Sequence, residues 1–426
     1  MAIPVPAKRT MTRLRSAYAV PVGIALALAL QAAGLCVPAL AAPTEPTQIA
    51  EEGASALVRG EAQAAVYSYT EALKDTSLSN DRRAAILNDR GVANIKLGHT
   101  RQAFEDFNLA IQLFPEFAAV YNNRGNLLLS LGLTQEAIKD FDRSLVLAPG
   151  YAAAYNNRAG AQMRLGQTEA AVADYTRSVK LMPSNPAPLT GRGLAHLSAR
   201  RPHAAIRDFS RAVKADTRFA AAYRNMAEAR LAVEKFDEAI EDFSRSIAFD
   251  ASNVDSYLLR GRAYLAMRNT ASAITDFSKA AELAPKNARA FAERGFAYVL
   301  AESTDEAFAD LNKAIEIDPR SAWAFAYRAY AYKQGGQIDV ALRDIEVAQK
   351  LAPDLPEVHW VKAEIADAQG EREQAIADLR KAQSLRPGYR DARESLQRLG
   401  ASTETVETEL PGAGIDTWRV VLRGAK

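Results

Sequence analysis

The side chains best equipped for recognition in this sequence are amides. Asn88, Asn122 and Asn156 recur at intervals of 34 residues, Asn126 follows Asn122 by one helical turn, and Asn123, Asn157 and Asn225 stand one residue over from the same column. An asparagine offers both a donor and an acceptor, which is what an extended peptide backbone presents in return, so such rows suit sequence-tolerant polypeptide binding. The equivalent positions later in the chain turn basic at Arg224 and Arg262 and then aromatic at Phe296, Trp323, Tyr330 and Trp360. With Lys96 and Arg164 from the first half, these residues and Asn88, Asn122, Asn126 and Asn156 form the candidate binding set. Two plainer readings stay open: the amides solvate an exposed helix face, and Trp323 and Trp360 pack inside.

Catalytic chemistry has no comparable set. His99, His196, His203 and His359 lack ligand spacing, Cys36 stands alone, and there is no phosphate-binding Gly-Lys loop, HExxH, G-x-S-x-G or Cys–His pair. Gly191-Arg192-Gly193 follows no strand, so a dinucleotide reading fails. No catalytic residue, metal site, cofactor or small-molecule substrate is expected. Lysine and arginine total 53 against 51 aspartates and glutamates, a net charge of +2, which argues against nucleic acid as a partner.

Lys8, Arg9, Arg13 and Arg15 precede an uncharged stretch from Ser16 to Thr44, and Ala39-Leu40-Ala41 places small residues before a cut at Ala42. That layout is a secretory signal peptide over residues 1–41. It implies a periplasmic protein, or an inner-membrane-anchored one if the segment is not removed, since it is nearly long enough to span a bilayer. A lipid anchor on Cys36 is the weakest reading, because Leu35 stands where a small residue is wanted. Cleavage would remove four positive charges and the lone cysteine, leaving a mature chain at −2.

The elements that position the amides come from a repeat. From residue 84 onward, blocks of 34 align: Ala103 to Ala375 fill one column nine times out of nine, Asp106 to Asp378 another, and prolines from Pro115 to Pro387 mark seven of the nine block ends. Such a period outranks every local reading. In block 118–151, Tyr121, Gly125 and Leu128 share one helical face. Gly132 breaks that helix, Thr134 is placed to cap a second one, and Pro149 stops it. Asn185-Pro186 and Pro202 mark two further helix starts.

These residues resemble the tetratricopeptide repeat family, whose unit is a 34-residue helix–turn–helix. The resemblance implies an all-α, right-handed solenoid of about ten repeats, with first helices lining a concave groove that takes protein or peptide partners. It organises the chain as a leader at 1–41, a linker and degenerate repeat at 42–83, nine repeats at 84–389, a capping helix at 390–400 and a tail at 401–426. The degenerate copy carries Gly53, Gly60, Ala65, Tyr69 and Ala72, with about four extra residues bulging near Ser77–Asp81. The tail contains a β-prone run, Ile415–Arg423. The lysines of the family's carboxylate clamp are missing from the fifth position of each block, which puts capture of a chain terminus in doubt.

Position 7 departs from the family's usual leucine: it is arginine in seven blocks, Lys362 in one and Met226 in one. Beside the aspartate column, it reads as an Arg–Asp pair tying first to second helix. The alternative, a ladder of anion receptors, does not need nine matched copies. Met226 would then leave Asp242 without a partner and weaken the fifth block. The function expected is a non-catalytic interaction scaffold in bacterial envelope assembly or trafficking. The alternatives are a substrate-recruiting subunit of an enzyme on another chain and, opposed by charge and leader, an RNA-binding helical repeat.

Overall fold

The computed structural model describes residues 45–403, so the expectations for the leader and for Ile415–Arg423 lie outside the described residues. Among the described residues there are 21 helices and no strand. The chain divides into two compact units, the first ending at Gly166 and the second beginning at Gln167. The first holds the pairs α1 (Glu45–Val58) with α2 (Ala62–Ala72), α3 (Asn80–Lys96) with α4 (Thr100–Leu113) and α5 (Ala118–Ser130) with α6 (Thr134–Leu147), then α7 (Ala152–Arg164). The second opens on α8 (Thr168–Leu181), followed by α9 (Pro186–Ser198) with α10 (Pro202–Ala215) and α11 (Ala220–Leu231) with α12 (Phe236–Phe249). It continues through α13 (Val254–Ala266) with α14 (Thr270–Leu283) and α15 (Ala288–Leu300) with α16 (Thr304–Ile317). The last pairs are α17 (Ala322–Gln334) with α18 (Ile338–Leu351) and α19 (Pro356–Ala368) with α20 (Arg372–Leu385), closed by α21 (Arg390–Arg398). This is the expected all-α solenoid of paired helices.

Each pair closes on a glycine or alanine. A Cβ on Gly125 would meet the Phe141 ring at 2.7 Å, and one on Gly193 would meet Phe209 at 2.5 Å. Phe107, Phe141, Phe209 and Phe277 are fully buried, as is the alanine column. The phenylalanines therefore press on the first helix of their own repeat, and Phe107 also reaches Val120 and Leu127 of the next. Close packing of this kind leaves no room for an extra methylene.

Two local expectations need correction. Thr134 does not cap α6: Leu133 is the boundary residue and its carbonyl accepts the Ala137 N–H at 3.0 Å. Gly132 (φ +80°) turns the chain after α5 as expected, but α6 already begins at Thr134, which places that residue inside the helix and not at its cap. The four extra residues near Ser77–Asp81 are only partly a bulge: residues 73–79 link α2 to α3 where 114–117 link α4 to α5. Asn80–Arg83 also add a first turn to α3, which runs 17 residues where α5 runs 13. Asn185-Pro186 starts α9 as expected, and Asn185 caps it by accepting the Ala187 N–H at 2.9 Å.

The arginine column staples three helices. Arg260 grips Asp276 of its own repeat with Nε and Nη2 at 2.8 and 2.7 Å, while Nη1 donates to Ser244 Oγ of the preceding repeat at 2.8 Å. Arg124 does the same with Asp140 and Asn108, and Arg328 with Asp344 and Asn312. A planar fork suits this double duty where a lysine would serve one side only. Met226 breaks the column, but Asp242 is not left alone. Arg230, one turn further along α11, reaches it at 2.6 Å. The fifth block thus keeps its internal pair and lacks only the guanidinium link backward, where Ser210 Oγ meets Met226 sulfur at 3.4 Å.

Candidate binding face

The asparagines of the first unit form one directed chain of hydrogen bonds. Asn156 donates to Asn157 at 3.3 Å, Asn157 to Asn122 at 2.9 Å, and Asn122 to Asn123 at 3.3 Å. Asn123 donates to Asn88 at 2.8 Å, and Asn88 ends the run on the Asp89 carboxylate at 3.0 Å. The links between repeats join the sixth position of one block to the fifth of the block before it. Periodicity brings the amides together; facing position 5 with position 6 pairs them.

The burial pattern changes what these side chains can do. Asn88 and Asn122 are 1% and 4% exposed, so they hold neighbouring repeats in register before they hold anything else. Asn126, Asn156 and Asn157 are partly exposed, at the end of the run toward α7. Lys96 and Arg164 are exposed, yet each also ties repeats together. Lys96 Nζ donates to the Leu57 carbonyl at 3.3 Å and Arg164 Nη1 to the Leu129 carbonyl at 2.7 Å. Both carbonyls lie at helix C-termini, where a cation is favoured.

The second-unit members of the set sit differently. Phe296, Trp323, Tyr330 and Trp360 are 4–8% exposed and belong to the core, so the expectation that they line an open groove is corrected. Phe296 stacks on Tyr327 with ring centroids 4.3 Å apart, and Tyr330 meets Trp360 at 4.8 Å. Rings at the ninth position of one first helix reach the fifth or sixth position of the next across the repeat boundary, where burial is worth more than display. Arg262 is likewise internal. It pairs with Glu293 at 2.9 Å and Glu357 at 3.0 Å and lies 4.3 Å over the Trp323 ring. Arg224 is partly exposed and stands 3.8 Å from Glu228.

Sequence reasoning missed the acidic end of the amide chain. Burial pushes the Asp89 carboxyl up to about 6 despite the Asn88 amide, which pulls the other way. Asp242 is raised to about 6 as well, because burial outweighs Arg230. In both, the folded protein holds its proton to higher pH than the unfolded chain. Stability therefore falls as pH rises from about 4 to about 6, with no further change from these groups above that window. Asp89→Asn and Asp242→Asn should each flatten that fall by one proton's worth, read from denaturant midpoints across the window. A pH profile unchanged by either variant would contradict the assignment.

Asn122→Ala should lower the stability of the first unit by about 1–2 kcal/mol, because it strips partners from Asn123 and Asn157 while helix propensity returns less than 1 kcal/mol. A solvent-facing asparagine would give a small gain instead, so the sign of the shift in melting temperature decides the matter.

Models of the tetratricopeptide repeat match residues 118–151, 152–185, 190–254, 258–322 and 328–390, more than half of the chain. The chain belongs to the tetratricopeptide repeat family. Among solved structures it is similar to a tetratricopeptide repeat protein from Parabacteroides merdae. That match is 21% identical, covers 58% of this chain and 98% of the other, and has a TM-score of 0.51. A second is YrrB, described as a tetratricopeptide protein with an unusual peptide-binding site: 22% identity, 44% and 96% coverage, TM-score 0.38. A third is yeast Tom70, at 15% identity, 83% and 88% coverage and a TM-score of 0.40. The first of these likenesses bears on the fold alone. No curated protein matches the chain. Tetratricopeptide repeats mediate protein–protein interaction and are typically non-catalytic. No group of three or more histidine, cysteine, aspartate or glutamate side chains is placed to hold a metal among the described residues.

Proposed function

We propose that this tetratricopeptide protein is a non-catalytic scaffold that holds extended polypeptide segments against the first helices of its first unit. The observation that carries the reading is the amide chain. Hydrogen bonds between repeats fix Asn156 and Asn157 in place, and a pre-set polar surface spares a partner the cost of ordering it. Asn126 on α5 and Met163 on α7, both partly exposed, supply a further amide and an adaptable apolar side chain on the first helices of the same unit. The exposed cations Lys96 and Arg164, at the C-terminal ends of α3 and α7, favour an acidic or neutral segment over a basic one.

The leader at residues 1–41 supports work in the bacterial periplasm, in envelope assembly or trafficking. Mature protein beginning at Ala42, read by N-terminal sequencing, agrees with this; an intact Met1 start contradicts it. For binding, the informative variant removes accessible amides only. Asn126→Ala with Asn156→Ala should weaken affinity for an unfolded polypeptide by about 1–3 kcal/mol, two net hydrogen bonds, in a titration calorimeter. Wild-type affinity in that variant would overturn the reading.

A further inference from the structure

The final helix does more than cover the last repeat. On one side α21 is built into the end of the second unit: Ala392 and Leu396 are fully buried, Trp360 Nε1 donates to Ser395 Oγ at 3.4 Å, and Ser395 Oγ donates to Glu364 at 2.6 Å. On the other side it reaches back more than a hundred residues. Arg393 donates to both oxygens of Glu234 at 2.9 and 3.2 Å, Arg390 donates to the Ala266 carbonyl at the C-terminus of α13, and Arg268 pairs with Glu394 and stands 3.8 Å from Asp391. The pattern is reciprocal. Arginines of α21 meet a carboxylate and a helix C-terminus, and its acids meet an arginine.

The two sides differ in strength. The attachment to α19 is buried. The contacts to Glu234 and Arg268 are exposed by a third to a half. Exposed pairs are weak and screened by salt, so these are the contacts that part first. Glu234 and Arg268 present their side chains from the left-handed turn position at φ 57° and 60°, a position that Arg200 and Glu302 share and that Gly98, Gly132, Gly336 and Gly370 fill in other blocks. Between the two sides lies a cavity of about 140 Å³ on the first-helix side, lined by Arg262, Phe296, Tyr327, Glu357, Tyr389 and neighbours.

We infer that residues 386–398 are an internal ligand of the second unit, closing its first-helix face through a charge latch at Glu234 and Arg268, and that the partner fitting this face is a helix with the same alternation of arginine and acid. The chain itself supplies the occupant and the complementary charges. The face is shut at rest and opens when a matching helix takes the latch residues. This goes beyond polypeptide binding by the first unit and does not depend on it.

The test is a charge swap in the full-length protein, followed by hydrogen exchange and by binding of a labelled synthetic peptide of residues 386–400. Glu234→Arg and Arg393→Glu are surface changes that should leave helical circular dichroism unaltered. Each alone should speed exchange over 386–399 at least tenfold, with residues 300–350 unaffected. Arg393→Glu, whose latch is open on the Glu234 side, should bind the peptide at least tenfold more tightly than wild type does. The Glu234→Arg/Arg393→Glu double variant should return exchange to the wild-type rate. Exchange unchanged in the single variants, no recovery in the double, or equal peptide binding by wild type and Arg393→Glu would each overturn the latch.

Discussion

Arg260→Met is expected to destabilise the second unit by about 3–5 kcal/mol, because it leaves the Asp276 carboxylate buried without its guanidinium. Asp276 is 3% exposed, and Arg260 supplies two bonds to it and a third to Ser244. The molecule already contains the same substitution at Met226, where Arg230 restores the pair from one turn along. Transplanting that solution gives the sharper test. Tyr264 stands four residues after Arg260, as Arg230 does after Met226. The double variant Arg260→Met/Tyr264→Arg should recover most of the loss in a denaturant titration, and failure to recover would mean that the tie to Ser244 matters more than the ion pair.

A second large effect belongs to Glu357→Gln. Glu357 is 2% exposed and receives Arg386 at 2.7 and 3.1 Å and Arg262 at 3.0 Å. Burial pushes its carboxyl up, but the Arg386 and Arg262 guanidiniums more than cancel this and hold it below the usual glutamate range. The neutral amide keeps the shape and removes the charge both arginines share, at a cost of about 3–5 kcal/mol to the second unit. Acid should mimic it: a lowered carboxyl gives stability that is present above its unfolded value near 4.5 and lost as pH falls toward the folded one. Because Arg386 begins the segment that closes the face, hydrogen exchange over 386–399 should rise in this variant before the rest of the unit responds.

Repetition made the fold readable. An alanine or aspartate column that recurs nine times states a packing rule, and Gly125 against Phe141 or Arg260 against Asp276 is that rule in three dimensions. The amide chain was half readable. Both asparagine columns are visible in the sequence, but the bonds from Asn123 to Asn88 and from Asn157 to Asn122 run between different positions of adjacent blocks. Nothing in a single helical face shows that they bury each other. The ninth-position aromatics mislead for a related reason: Phe296 and Tyr330 lie on the flank of the first helix, and whether a flank is open depends on the neighbouring repeat. The closure by α21 has no periodic signature, since Arg393 and Glu234 are 159 residues apart.

The central claim is that polypeptide lies along the first helices of the first unit. A photoreactive side chain placed at Asn126, on that face, and in parallel at Val146, which is 70% exposed on the second helix of the same repeat, tests it directly. With an unfolded polypeptide as target, the account predicts crosslinks from position 126 and none above background from position 146. Equal yields from both positions, or crosslinks from 146 alone, would contradict it.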